Sequence, residues 1–201
     1  MGETLCDKTI RLWPPVALVA MVVLGWAVRH GSTPVDDWFH RQGHSPARYL
    51  LFFTDPRVLG LVVLATLVVA LFRRRWRWAI ATVTCPLLAI GLARLLKPVF
   101  GRQRAGAFAY PSGHTATVVV VMGMVVLVAG VALWAVLLAV AWCLLGIVGQ
   151  AVSFHYFTDT IGALLLGTAV VCVAALTLRQ PATELDTRQP RCDLRHSPWL
   201  P

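Results

Sequence analysis

Residues 115–154 read TATVVVVMGMVVLVAGVALWAVLLAVAWCLLGIVGQAVSF, and this uncharged stretch decides the class of fold. A helix that crosses a bilayer needs about 20 mostly apolar residues, so the stretch is long enough for two such helices. Gly130 lies near its middle, where a tight turn would join one span at 114–129 to another at 131–152. The stretch therefore predicts a helical hairpin inside a membrane.

The rest of the chain has the same character. Of its 201 residues, 58% are hydrophobic and 13% are charged, whereas soluble domains carry about 25% charged residues. Further apolar segments predict spans at 12–28, 58–72, 78–96 and 159–178. We therefore expect an all-α, polytopic membrane protein with a six-helix bundle at 12–178. Residues 1–11 would be a cytoplasmic N-terminus, and the polar, proline-containing residues 179–201 a disordered cytoplasmic tail.

The basic residues predict an orientation. Net charge is +9, and arginines cluster beside apolar segments, most densely at 73–77. This arrangement is more typical of membrane anchoring than of nucleic-acid binding. In a six-span protein the basic loop at 73–77 and both termini fall on one side, which we expect to be cytoplasmic. The opposite side, at 29–57, 97–113 and 153–158, is also basic, and this suggests that it binds an anion.

The segment His30–Arg57 follows the first predicted span. Ser32-Thr33-Pro34 is a helix-start pattern that predicts a short helix through Asp37. We interpret this helix as amphipathic and interfacial rather than catalytic. Four side chains would face lipid: Trp38, Phe39, Leu50 and Phe52.

Three polar clusters lie at the ends of predicted spans, all on the same face. In the sequence Tyr110-Pro111-Ser112-Gly113-His114, Ser112 is placed to cap a helix and Gly113 lets the backbone approach a ligand. The free N–H groups at a helix start suit a phosphate. His114 would then stand beside that phosphate, although a simple cap with an interfacial histidine has the same pattern.

The other two clusters supply a histidine–carboxylate pair and two cations. His155 and Asp159 are four residues apart, which places them on one face of a helix. The carboxylate would fix the imidazole tautomer and leave the other nitrogen free to attack. Lys97 and Arg104 bracket a loop, where Arg104 could grip two phosphate oxygens and Lys97 provide a point charge. Alternatively, the pair closes a helix entrance and the cations are membrane anchors.

In this order, Lys97-x6-Arg104, Pro111-Ser112-Gly113-His114 and His155-x3-Asp159 resemble the three-part signature of the type 2 phosphatidic acid phosphatase superfamily. That superfamily includes membrane lipid phosphatases, polyprenyl diphosphate phosphatases and vanadium haloperoxidases. The haloperoxidase branch is soluble, so the spans disfavour it. The resemblance covers 97–159 by motif and most of the chain by topology.

The resemblance implies a metal-independent phosphatase without a cofactor, in a bacterial plasma membrane, with its site on the extracytoplasmic side. His155 would be the nucleophile, Asp159 its orienting partner and His114 the general acid and base. Four residues would bind phosphate: Lys97, Arg104, Ser112 and Gly113. The substrate would be a lipid phosphate from the bilayer, either a polyprenyl phosphate or diphosphate, phosphatidic acid or phosphatidylglycerol phosphate, with a preference for the isoprenoid.

Two positions depart from the family pattern. The proline after Arg104 is Ala105, and the serine and arginine of the third motif fall on Val148 and Gly149. Gln150 or Arg102 could compensate for the missing arginine, as could Arg94 or Arg57. The departure keeps open an alternative function, a non-catalytic protein that binds or translocates phospholipids on the same scaffold.

Overall fold

The computed structural model describes residues 5–178 and consists almost entirely of helices. The helices are α1 (Leu5–Ala27), α2 (Pro34–Arg41), a 3-10 helix (Pro46–Thr54), α3 (Pro56–Phe72), α4 (Trp76–Phe100), α5 (Gly113–Val128), α6 (Leu133–Ser153) and α7 (Phe157–Leu178). A two-stranded antiparallel hairpin, β1 (Gln103–Arg104) and β2 (Ala107–Phe108), connects α4 to α5. The all-α class is as the sequence predicts. The expected tail at 179–201 lies outside the described residues.

Five helical segments are long and apolar enough to cross a membrane: Lys8–Ala27, Pro46–Phe72, Trp76–Phe100, Leu133–Ser153 and Phe157–Leu178. The chain is thus of the integral membrane type. The first of these segments begins within the expected N-terminal extension at 1–11. The predicted fourth span corresponds to α5, which is shorter, at 16 residues.

Helix α5 is the centre of the bundle. It packs against α3, α4, α6 and α7, whereas α1 packs mainly on α7. Its valines and methionines are buried on most sides, including Val118, Val120 and Met124. Large apolar side chains on the outer helices are exposed instead, as expected of a surface that meets lipid. Helix α5 is therefore enclosed by neighbouring helices whose outer surfaces are apolar.

The turn between α5 and α6 is as tight as the sequence predicts. Gly130 and Val131 both adopt positive φ angles, of 80° and 60°. Their amides donate to the carbonyls of Leu127 and Val126, which ends α5 within two residues. Glycine accepts this conformation readily, but Val131 does so at a cost in backbone strain. The hairpin of the opening stretch therefore forms.

The basic loop at 73–77 lies at the same end of the bundle as this turn. Arg73 donates to the Val128 carbonyl at 2.9 Å, and Arg77 donates to the Thr177 carbonyl at 3.0 Å. These carbonyls belong to the last turns of α5 and α7, where helices favour cations. Arg73 and Arg77 thus bind the C-terminal ends of two helices within the protein.

Candidate functional site

A cavity of about 650 Å³ lies at the opposite end of the bundle, between α3, α4, α5 and the α6–α7 link. Lys97, Gly113, His114 and His155 line it. These are members of all three sequence clusters, so the structure brings the clusters together. The cavity is a single space that the three motifs share.

The remainder of the cavity is mostly apolar and reaches far along the bundle. The lining residues of α4 run from Val83 to Lys97, a rise of about 21 Å along an α-helix. The apolar lining includes Leu59, Val63, Val83, Pro86, Leu87 and Ile90. A polar end is therefore continuous with apolar space inside a segment that could span a membrane.

The polar end of the cavity is positively charged. Lys97 Nζ donates to the Phe108 carbonyl at 2.9 Å, which holds the side chain over the hairpin that follows α4. His114 stands in the first turn of α5 and interacts electrostatically with His155 and Lys97. Because Gly113 begins α5, its amide is one of the free N–H groups at a helix start. This combination favours an anion.

His155 lies in the link between α6 and α7, not on a helix as the spacing predicts. Helix α7 begins at Phe157, and Asp159 stands in its first turn. His155 Nδ1 is nevertheless 3.6 Å from Asp159 Oδ2, while the other carboxylate oxygen is bound by Arg102. The His155 side chain is 12% exposed. With Nδ1 towards the carboxylate, Nε2 is the nitrogen available to a ligand.

Arg102 is the centre of a buried ion cluster. It is 1% exposed, and its guanidinium donates to Asp159 at 2.7 Å and to Asp36 at 2.9 Å. It also donates to Thr158 Oγ1 and the Gly31 carbonyl, and it stacks on the Tyr156 ring. The cluster joins α2, the hairpin and α7 around the carboxylate beside His155.

Asp36 is the residue that the sequence interpretation missed. Its side chain is buried and accepts from Thr158 N at 2.9 Å as well as from Arg102. Burial raises its pKa, but hydrogen bonds from Thr158, Thr33 and Arg102 outweigh burial and hold the pKa below 3.8. Helix α2 thus packs into the protein through Asp36. The capping box of Thr33 with Asp36 was the available signal.

The expected lipid-facing residues of this segment divide in two. Trp38 and Phe52 are exposed, at 52% and 56%. Phe39 is partly buried and stacks on Phe157 of α7, with ring centroids 4.6 Å apart. Trp38 and Phe52 are therefore accessible, whereas Phe39 contacts the α7 entrance and Leu50 is partly buried.

Arg104 and Ser112, two of the predicted phosphate-binding residues, are not among the residues that line the cavity. Arg104 donates to His40 Nδ1 at 2.8 Å and lies over the Tyr156 ring, and its Nη1 is buried with no hydrogen-bond partner in the described chain. Burial lowers the pKa of Arg104, but a guanidinium stays charged. Ser112 is buried and caps α5 by accepting from Thr115. Ser112 thus serves the helix start.

The backbone of the 3-10 helix packs against Gly149, the position at which the sequence resemblance would place an arginine. A Cβ atom on Gly149 would lie 2.6 Å from the Leu50 carbonyl carbon and 2.7 Å from Leu51 N. The 3-10 helix therefore packs directly on α6, where the Gln150 amide donates to Thr54 Oγ1 at 2.7 Å. Gln150 is buried behind Thr54, which lines the cavity, and Arg102 is held in its ion cluster. Neither the Gln150 nor the Arg102 side chain is itself part of the cavity lining.

Tyr110 fixes the loop that precedes His114. Its hydroxyl donates to the Met21 carbonyl at 2.5 Å, and its ring packs edge-on against Phe100. The close approach of the ring leaves no space for a side chain at Gly25 or Gly162. The Tyr110–Pro111 peptide is cis. The loop at 109–112 is thus connected to both α1 and α7.

The described residues define a class: an all-α membrane-type protein whose cavity joins cations and imidazoles to apolar surface. No protein-family model, curated protein or solved structure matches the chain. Within residues 5–178 no group of three or more histidine, cysteine, aspartate or glutamate side chains is placed to hold a metal ion. The site's own side chains therefore carry the functional interpretation.

Proposed function

We propose that the protein is an integral membrane lipid phosphatase of the type 2 phosphatidic acid phosphatase kind. One observation carries the proposal: Lys97, His114 and His155 line one cavity whose remainder is mostly apolar. A lipid phosphate is complementary to this cavity, because its anionic head suits the cationic end and its hydrocarbon tail suits the apolar part. The resemblance of the three motifs supports the same function.

The proposed reaction begins at His155. Its Nε2 attacks phosphorus, the lipid oxygen leaves with the bonding electrons, and a phosphohistidine forms. Asp159, held by Arg102, stabilises the positive imidazole through Nδ1. His114 gives a proton to the leaving oxygen and then takes one from the water that cleaves the phosphorus–nitrogen bond. Lys97 and the Gly113 amide stabilise the phosphoryl oxygens.

The proposed placement in the membrane follows from the basic loops. The five long apolar segments and the shorter α5 would all cross, with both termini cytoplasmic and the cavity end extracytoplasmic. Helix α5 rises about 24 Å, somewhat less than a hydrocarbon core, and its neighbours bury most of its side chains. Substrate would arrive from the bilayer with its tail in the apolar part of the cavity.

The test uses purified protein in detergent with a chelator of divalent metals. Phosphate release would be followed from phosphatidic acid, phosphatidylglycerol phosphate and a polyprenyl diphosphate. Wild type should release phosphate and form an acid-labile phosphoenzyme. His155→Ala should do neither, and His114→Ala should release phosphate far more slowly. His44→Ala, a change at an exposed histidine outside the cavity, is the matched control.

Equal release by wild type and His155→Ala would overturn the proposal. The lack of space for an arginine at position 149 favours a second candidate, a non-catalytic phospholipid binder. Binding of these lipids by wild type, with no phosphate release from any of them, would support the binder and exclude the enzyme.

A further inference from the structure

Arg94 is a second cation at the polar part of the cavity. It lies on α4, three residues before Lys97, within the apolar segment Trp76–Phe100. It is exposed and lines the cavity with Lys97, His114 and His155. Its guanidinium forms no hydrogen bond or ion pair with any residue of the described range 5–178. A charge within a membrane segment is costly and usually functional.

The two cations interact unfavourably with each other. Arg94 and Lys97 share one face of α4 at a three-residue spacing, and their charges repel. The described cavity lining contains no aspartate or glutamate that could neutralise them. Asp159 attracts Lys97, but Arg102 already binds that carboxylate. An anion with several negative charges would relieve the repulsion.

We infer that Arg94 forms a second phosphoryl-binding subsite, which makes a lipid diphosphate the preferred substrate. This inference rests on the proposed phosphatase function and extends it. Arg94 lies about 4.5 Å before Lys97 along α4, on the side where the apolar lining begins. The phosphoryl group next to the lipid therefore lies at Arg94, and the terminal one lies at Lys97 and His155.

The subsite acts on the leaving group. When His155 Nε2 bonds to the terminal phosphorus, the bond from that phosphorus to the bridging oxygen breaks. The electron pair stays on the bridging oxygen, which becomes a terminal oxygen of the departing lipid monophosphate. Arg94 stabilises this added charge with a planar, two-pronged donor. Water then attacks the phosphohistidine, and inorganic phosphate is released as the histidine is regenerated.

The simpler role for Arg94 is that of a membrane anchor. A long basic side chain can extend towards lipid headgroups while its stem covers apolar surface. Such an anchor would affect every lipid substrate alike, because it does not recognise the second phosphoryl group. The ratio of activities on two substrates that share one lipid therefore separates the two roles.

The test compares farnesyl diphosphate with farnesyl monophosphate as initial rates in the same detergent. Wild type should have the higher kcat/KM for the diphosphate. Arg94→Gln should lower kcat/KM for the diphosphate about 100-fold and lower that for the monophosphate much less. Arg94→Lys, which keeps a charge but loses the fork, should recover part of the loss. Arg48→Gln, at an exposed arginine of the 3-10 helix, should leave the ratio unchanged.

Two results would overturn the inference while leaving the phosphatase in place. In the first, Arg94→Gln lowers kcat/KM by the same factor for both substrates, as the loss of a membrane anchor would. In the second, Arg94→Gln lowers kcat/KM for neither substrate, although His155→Ala abolishes phosphate release. Failure of the proposed function is different, because wild type would then release no phosphate or His155→Ala would match it. Thermal unfolding of each purified variant checks that the change in ratio is not a loss of folded protein.

Discussion

Arg102 and Lys97 lie on either side of the end of α4, and the protein uses their charges differently. Arg102 is buried between two carboxylates, donates four hydrogen bonds to oxygen atoms and stacks on the Tyr156 ring. Lys97 lines an open cavity and donates to one carbonyl oxygen. The first charge is matched within the protein, whereas the second remains available. A charge that is paired within the protein, such as that of Arg102, holds the surrounding elements together. An unpaired charge, such as that of Lys97, is available to bind an anion.

The comparison is tested most strongly by Arg102→Met. The variant leaves Asp36 and Asp159 buried without their cation, which should lower the free energy of unfolding by about 3–5 kcal/mol. Unfolding in mixed detergent micelles measures the change, with Arg48→Gln as the exposed-arginine control. An unfolding free energy equal to that of wild type would show that the ion cluster is dispensable.

Asp36→Asn should have the next largest effect. The amide keeps the shape but loses the charge that accepts from Thr158, Thr33 and Arg102, so about 1.5–3 kcal/mol should be lost at neutral pH. Because the folded pKa of Asp36 is below 3.8, its contribution is present above that pH and disappears as the pH falls through the folded value.

The difference in stability between wild type and Asp36→Asn should therefore shrink in acid. Unfolding free energies measured from neutral pH down to the lowest pH that the detergent permits provide the check. A difference that stays constant with pH would mean that the Asp36 charge does not contribute.

Gly149→Ala should cost about 1–3 kcal/mol. The added Cβ meets the backbone of Leu50 and Leu51, which cannot move as a flexible side chain can. Gly149→Arg, which would introduce the arginine that the resemblance implies at this position, should for the same reason lower the proposed phosphatase activity rather than raise it. Phosphate release and unfolding would both be measured, and a Gly149→Arg protein more active than wild type would contradict this packing argument.

Lys97→Gln should have the smallest effect on stability and a large effect on activity. Its ammonium group has no carboxylate bound to it, so removal should change the unfolding free energy by less than about 1 kcal/mol. Under the proposed function, phosphate release should fall sharply, because a cation that would stabilise the phosphoryl oxygens is lost. A strong loss of stability with normal turnover would place Lys97 with the structural cations instead.

The sequence predicts the parts of this structure that depend on local patterns. Apolar runs locate the long helices, and Gly130 locates the turn between α5 and α6. Thr33 and Ser112 begin helices as their capping patterns indicate. These features depend on a few neighbouring residues, so a single sequence contains their signal.

The parts that could not be predicted depend on contacts between distant segments. Arg102 meets Asp36 and Asp159 across separations of 66 and 57 residues, and nothing local distinguishes it from a loop arginine. The spacing of His155 and Asp159 suggests that both lie on one face of a helix. In the structure His155 lies in the link before α7, and the fold of this link places it beside Asp159. The packing role of Gly149 depends on the position of the 3-10 helix, which cannot be predicted from the sequence of α6.

The hydroxyl of Tyr110 reaches a carbonyl well inside α1, and this tether has a mechanical consequence. Helix α1 packs mainly on α7 and contributes no lining to the cavity, yet it holds the loop that positions His114. Bilayers of different thickness change the tilt of the helices that cross them. A tilt of α1 would move Met21 and, through the Tyr110 hydroxyl, the loop at the start of α5. The lipid around α1 is thereby coupled to the position of His114, although α1 itself does not line the cavity.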